Sequence, residues 1–252
     1  MVPEFILPLL IGWTSSAIVN YLADTLPVTR RLSKPFCHAC GVEIKVANYF
    51  FWPRRCNNCR TFRSWRVWIV ELFLLLSSIW LWDNSSLGLG WWTGIILLAY
   101  FVLVTVIDLE HRLILHITSL VGLLFGLWIG IELHGVVLTL AGGATGFALM
   151  LALYYAGFIY LRISRKIRGK DIGETEALGF GDVNLSGIIG LLLGWPGILL
   201  GLLLAILLAG FVSLIYLLFL LACRKYRPDS ALPYGPFLAT SAVILLYLRT
   251  IL

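Results

Sequence analysis

The chain reads as an all-α polytopic membrane protein of about eight transmembrane helices, with a small cytoplasmic zinc-ribbon-like insertion. Three observations carry that reading. Apolar residues make up 60% of the 252 residues and charged ones only 13%, a balance that excludes an ordinary soluble domain. Apolar runs near the length of a bilayer crossing recur at roughly 4–22, 67–82, 91–107, 113–132, 136–161, 183–195, 198–222 and 236–252. Finally, every basic residue except Arg249 falls in alternate gaps between these runs.

The first run, Phe5 to Leu22, follows Glu4 rather than a basic segment and lacks a small-x-small cleavage signal, so it is expected to be a retained span. The segment 23–66 is the one sizeable polar stretch, and 67–252 holds the remaining spans. This gives a first helix (1–22), a cytoplasmic four-cysteine segment (23–66) and a transmembrane bundle (67–252). The sixth run is short and ends at Gly194-Trp195-Pro196-Gly197, a turn signal between paired helices. The basic residues cluster between 30 and 66, at Arg112, between 162 and 170, and between 224 and 227, whereas 83–90, 133–135 and 195–197 have none. The positive-inside rule makes the basic face cytoplasmic and puts both termini outside.

Two aspartates lie at the ends of apolar runs: Asp108 in Ile107-Asp108-Leu109-Glu110-His111-Arg112, and Asp182 in Gly179-Phe180-Gly181-Asp182. The topology puts both at the cytoplasmic boundary, where they can converge at one depth. A carboxylate at a bilayer boundary is costly and usually has work to do, and two together can share a proton and activate water. Each also has a plain structural reading, Asp182 as a helix N-cap and Asp108 as an interfacial charge. Gly179 and Gly181 favour the first reading, because a helix does not prefer two glycines there and small residues admit close approach.

The polar segment contains Cys37-His38-Ala39-Cys40 and Cys56-Asn57-Asn58-Cys59. Two C-x-x-C knuckles at this spacing fit a structural zinc site with ligands Cys37, Cys40, Cys56 and Cys59 and no open position for water. A disulfide framework does not suit the reducing side of the membrane. Cys223 stands alone as a small apolar filler. The cations beside the knuckles follow the positive-inside bias and suit anionic membrane lipid rather than nucleic acid.

Taken in order, these features resemble the type IV prepilin peptidases, the bifunctional leader peptidase and N-methyltransferase family. Gly12, Ser15, Asn20 and Leu26-Pro27 match the family's first span and its exit. Pro35-Phe36-Cys37-His38-Ala39-Cys40, Arg55 with Cys56 and Cys59, and Ser64, Arg66, Val70 and Glu71 match the cysteine region and the entry to the second span. Ile107-Asp108, His111, Arg112 and Leu113, and Gly179 to Asp182, match its two aspartate motifs. The chain departs from the pattern in three places. His116 stands where the family has a further acid, which singles out Asp108, and Asn184 stands where it has a lysine, which removes a cation near Asp182. The stretch 41–55 is shorter than usual, and only Asn48 and Trp52-Pro53 echo its missing element.

The resemblance implies a multi-pass enzyme of the bacterial inner membrane with Asp108 and Asp182 as the catalytic pair, supported by Gly179 and Gly181. Its substrates would be prepilins or pseudopilins, whose short basic leader is cut off at the cytoplasmic boundary. It also implies methylation of the new N-terminus with S-adenosylmethionine; if that cofactor binds, Glu71 and Asp24 are the acids near the cytoplasmic segment placed to contact it. Beside His111, one turn past Asp108, Arg112 reads as a snorkelling anchor. The alternatives are a peptidase without methyl transfer, an ion- or proton-coupled transporter, a scaffold whose ribbon docks a partner, and a Gly-x-Gly-Asp intramembrane protease for other substrates. The sequence does not speak to oligomeric state.

Overall fold

The computed structural model describes residues 5–37, 39–51, 54–56, 58–84, 89–168, 179–223 and 233–248. Glu4, His38, Trp52-Pro53, Asn57, Lys170, Arg224, Lys225, Arg227 and Arg249 lie outside them. The chain divides into two compact units between Ile107 and Asp108.

In the first unit, α1 (Ile6–Thr29) and α3 (Trp65–Asp83) pack antiparallel. Ser78 Oγ donates to the Pro8 carbonyl (2.8 Å) at one end, and Asn20 Nδ2 to the Val67 carbonyl (3.4 Å) at the other. A Cβ at Gly12 would stand 3.0 Å from the Leu74 carbonyl, so a glycine lets the two backbones meet. α1 runs well past the exit expected at Leu22. Pro27 falls in its last turn, where its missing N–H costs a single intrahelical bond, the one to the Ala23 carbonyl. The helix stops only where Arg30 turns left-handed (φ 53°) and donates its N–H to Leu26 (3.0 Å). The extra turns put Asp24 on a helix rather than in a loop. A one-turn helix, α2 (Val46–Phe50), separates the knuckles, and Ser64 caps α3 by accepting the Arg66 N–H. α4 (Trp91–His111) extends through Asp108, which lies in its last turn.

The second unit is built around α6 (Phe180–Leu193), which lies between the two arms of α5 (His116–Arg168). The arms, 116–134 and 136–168, correspond to two expected spans and reverse at Gly135, whose φ of 75° suits glycine. A Cβ at Gly130 would touch the Thr139 methyl across this hairpin. Contact between the second arm and α6 is backbone on backbone: a Cβ at Gly190 would land on the Gly142 carbonyl, and one at Gly142 on that of Gly190. Ser186 Oγ donates to the Gly146 carbonyl (2.9 Å) nearby. After the expected turn at 194–197, where the Trp195 N–H bonds the Leu138 carbonyl (3.0 Å), come α7 (Gly197–Ala222) and α8 (Gly235–Leu248), both packed on α6.

Among the described residues, α1, α3, α4, the stretch His116–Tyr160 of α5, and α7 are long and apolar enough to cross a bilayer, while α6 and α8 are shorter apolar helices. The protein is an all-helical, multi-pass membrane protein. The glycine seam gives a direct test. Gly190→Ala should lower stability by about 1–3 kcal/mol, the usual cost of overpacking, seen as a lower melting temperature in detergent. Gly210→Ala, which meets nothing within 4 Å, should leave it unchanged. Equal melting of the two variants would contradict the packing.

Candidate functional site

Asp182 is the third residue of α6. Gly179 is the N-cap, in extended conformation (φ −74°, ψ 140°), so the N-cap reading of Asp182 is corrected by one turn. The Asp182 N–H donates to the Gly179 carbonyl (3.1 Å), and its carboxylate accepts the Gly179 N–H in return. The Asp182 side chain thus serves the N-cap amide of its own helix, and its carboxylate lies at the positive end of that helix. Asp108 is placed the opposite way, at the C-terminal end of α4, where the helix dipole disfavours an anion. Its compensation comes from α8: the first residue, Gly235, donates its N–H to the Asp108 carboxylate. A Cβ on Gly235 would collide with Oδ2 of Asp108. The Arg112 charge also acts on Asp108.

Both carboxylates are buried, Asp108 at 5% and Asp182 at 8% exposure. Each lies close enough for the charge of Asp108 to act on Asp182. Oδ2 of Asp108 is buried with no hydrogen-bond partner among the described residues. Gly181 explains how the two motifs come together. Arg112 breaks α4 in the left-handed region (φ 53°), its N–H on the Asp108 carbonyl (2.8 Å), and the chain then lays Ile114 against Gly181, where a Cβ would be 2.7 Å from that of Ile114. His111 is half-buried at the helix end and Arg112 is exposed.

Sequence reasoning passed over Gly235 and Tyr234, whose phenol also lies in the field of Asp182. The available signal was a glycine between two prolines, Pro233-Tyr234-Gly235-Pro236, at the entry to the last apolar run. Asn184 is a second adjustment. At 100° per residue it points to the face of α6 away from Asp182, where it lines a groove of about 770 Å³ together with His116 and Ser119. His116 and Asn184, two of the three departures from the family pattern, therefore line one groove rather than facing the aspartates.

In the first unit, the two knuckles repeat one geometry. The Cys37 N–H bonds the Val42 carbonyl (2.9 Å) and the Gly41 N–H the Cys37 carbonyl (2.8 Å); Cys56 with Thr61 (3.2 Å) and Arg60 with Cys56 (3.0 Å) do the same. Single bridges, Phe36 with Glu43 and Arg55 with Phe62, close the hairpins. All four sulfurs lie within 4.8 Å of one another, with Cys37–Cys59 at 3.5 Å and Cys40–Cys56 at 3.6 Å. A tetrahedron of 2.3 Å zinc–sulfur bonds has edges of about 3.8 Å, so the donor set fits that ion. Burial raises the Cys37 thiol, but the N–H groups of Cys40 and Ala39 and the Thr61 hydroxyl outweigh it and bring it to about 6. The cluster thus favours at least one thiolate, the form that binds metal.

Asp24 and Glu71 have protein partners. Glu71 forms a two-pronged ion pair with Arg54, which also lies 4.8 Å over the Trp68 ring. Asp24 accepts from Arg66, from Arg63 (2.7 Å) and from the Tyr49 hydroxyl. Tyr49 is 1% exposed, and burial pushes its phenol up, so it stays a donor. Arg63 stacks 3.8 Å over the Tyr49 ring. Three of the cations expected at lipid are therefore engaged inside the protein.

The sequence profile of the type IV leader peptidase family matches residues 95–214, which include both aspartates. A prepilin leader peptidase/N-methyltransferase of Aeromonas hydrophila is 32% identical over 236 residues, 88% of this chain and 74% of that protein. The type 4 prepilin-like proteins leader peptide-processing enzyme of Escherichia coli O78:H11 is 29% identical, over 89% of this chain and 79% of its own. A prepilin leader peptidase/N-methyltransferase of Pseudomonas aeruginosa is 26% identical, over 83% and 70%. No solved structure gives a significant match. On a similarity that runs along most of both chains, this chain belongs to the type IV leader peptidase family.

Proposed function

We propose that the protein is an aspartyl endopeptidase that removes the short basic leader of prepilin-like proteins, with Asp108 and Asp182 as its catalytic pair. The observation that carries this reading is two buried carboxylates, one at the end of α4 and one at the start of α6, close enough for the charge of Asp108 to act on Asp182. Like charges so placed do not both ionise readily. One aspartate, ionised, takes a proton from water as the water oxygen attacks the scissile carbonyl carbon. The other gives its proton to the carbonyl oxygen. The tetrahedral intermediate then collapses: the C–N bond breaks, the departing amine takes up the proton first removed from water, and a hydroxyl of the intermediate returns its proton to the second aspartate. The pair titrates as a unit, so neither role is fixed to one residue. The unpartnered Oδ2 of Asp108 is suited to hold that water. Gly179 and Gly181 support the site, one through its amide and the other by admitting Ile114.

In this proposal the α5 arms count separately, making eight spans in a bacterial inner membrane, with both termini outside and the aspartates at the cytoplasmic boundary. The substrate is a prepilin or pseudopilin whose apolar helix follows the cut. The four cysteines hold a structural zinc, which would stabilise a segment too small for a core of its own. The second activity, methylation of the new N-terminus by S-adenosylmethionine, belongs to the same segment. Asp24 and Glu71 are its candidate cofactor contacts and would have to share their arginine partners with the cofactor. A transporter reading has less support, because both acids sit on helix ends.

Asp108→Asn and Asp182→Asn should each reduce leader removal from a co-expressed prepilin by about 10²–10⁴-fold while the protein stays in the membrane; near-normal cleavage by either would sink the assignment. Gly235→Ala should slow cleavage by roughly 10²-fold through displacement of Asp108, with membrane insertion retained, and an unchanged rate would remove Gly235 from the site. Zinc should co-purify with the chain. Cys56→Ser should release it and reduce methylation, read as the mass of the added methyl group, before it reduces cleavage. Full methylation by metal-free protein would overturn the zinc reading.

A further inference from the structure

The two cysteine knuckles share one backbone geometry but present opposite surfaces. In the first, the bridge pairs Phe36, half-buried, with Glu43, which is itself paired with Lys34 (3.3 Å). In the second, the bridge pairs Arg55 with Phe62. Partners across a bridge lie on one face of the hairpin, and here the guanidinium stacks 3.9 Å over the ring. Phe62 is 63% exposed, and Trp65, three residues on at the start of α3, is 84% exposed. Arg60, in the turn between them and the cysteines, is exposed as well.

Charge and continuity say what this face meets. No acidic residue occurs between Glu43 and Glu71. Arg54 and Arg63 are engaged by Glu71 and Asp24, whereas Arg55 and Arg60 have no ion pair among those found in the described residues. The face is therefore cationic and aromatic together, the composition of a membrane–water interface. It is also continuous with a membrane-spanning helix, because Trp65 is the first residue of α3. A phenylalanine and a tryptophan exposed together beside two cations form the kind of patch that meets a membrane surface.

We infer that the second knuckle docks on the bilayer surface, with Phe62 and Trp65 at the headgroup level and Arg55 and Arg60 against anionic lipid phosphates. The first knuckle makes no such contact. This inference needs α3 to be a membrane span but does not need the peptidase reading, and its readout is independent of cleavage.

The test is amide hydrogen–deuterium exchange of the full chain in nanodiscs of phosphatidylcholine alone or mixed with phosphatidylglycerol. Residues 58–65 should exchange roughly tenfold more slowly in the anionic discs, given a modest attraction at each of two cations, while residues 39–43 should exchange equally in both. Arg55→Gln/Arg60→Gln should abolish the lipid dependence, and Phe62→Ser/Trp65→Ser should speed exchange in both lipids. Metal content identifies any variant that has lost its fold, and the wild-type comparison stands without the variants. Equal exchange of 58–65 in the two lipids would overturn the inference. So would equal protection from inorganic phosphate added to phosphatidylcholine discs, which would indicate a phosphate site rather than bilayer docking.

Discussion

Two carboxylates are buried within reach of each other's charge only when something other than water answers that charge. Here that is a backbone N–H at the start of a helix, Gly179 for Asp182 and Gly235 for Asp108. The compensation is unequal in origin. Asp182 is served by its own helix, whereas Asp108 hangs from the unfavourable end of α4 and depends on α8 for a donor. Both donors are glycines, and at Gly235 any side chain would strike the carboxylate it serves. Hydrogen bonds to a charged acceptor are among the stronger ones, so the amides hold position as well as charge.

The rest of the second unit fixes those helix starts. α6 is gripped by two arms of α5, and the grip is tight because Gly142 and Gly190 leave only backbone between them. α8 is then fixed by packing on α6 and α7. Within a bilayer, helices gain little from burying apolar surface against one another, so close backbone contact is a main source of order. The first unit solves another problem, that of a polar segment with little core. It gathers four cysteine sulfurs within 4.8 Å of one another and forms ion pairs from Asp24 and Glu71 to arginines of the cysteine segment and α3.

Much of this was legible in the sequence because it depends on local spacing. The C-x-x-C pairs, the turn at 194–197 and the break between the arms of α5 are each written in a few adjacent residues. Asp108 and Asp182 were legible as costly charges at the ends of apolar runs. What was not legible depends on contacts between distant segments. Nothing near Gly235 announces that its amide serves Asp108, and nothing near Glu71 shows that Arg54 will claim it. α1 continues past the apolar run that ends at Leu22, because a proline near its end can sit inside a helix whose other contacts hold. The facing of Asn184 was within reach of simple helical periodicity, which turns a residue two positions on to the opposite side.

The proposed peptidase chemistry requires Asp108 and Asp182 to act as one unit rather than as two separate acids. The direct test is a double-mutant cycle on residual leader cleavage, comparing Asp108→Asn/Asp182→Asn with the two single variants by mass spectrometry of the product. Groups that act together lose nearly everything at the first substitution, so the double variant should be no slower than the slower single one. Losses that multiply, with each single variant retaining an independent share of activity, would contradict the pair.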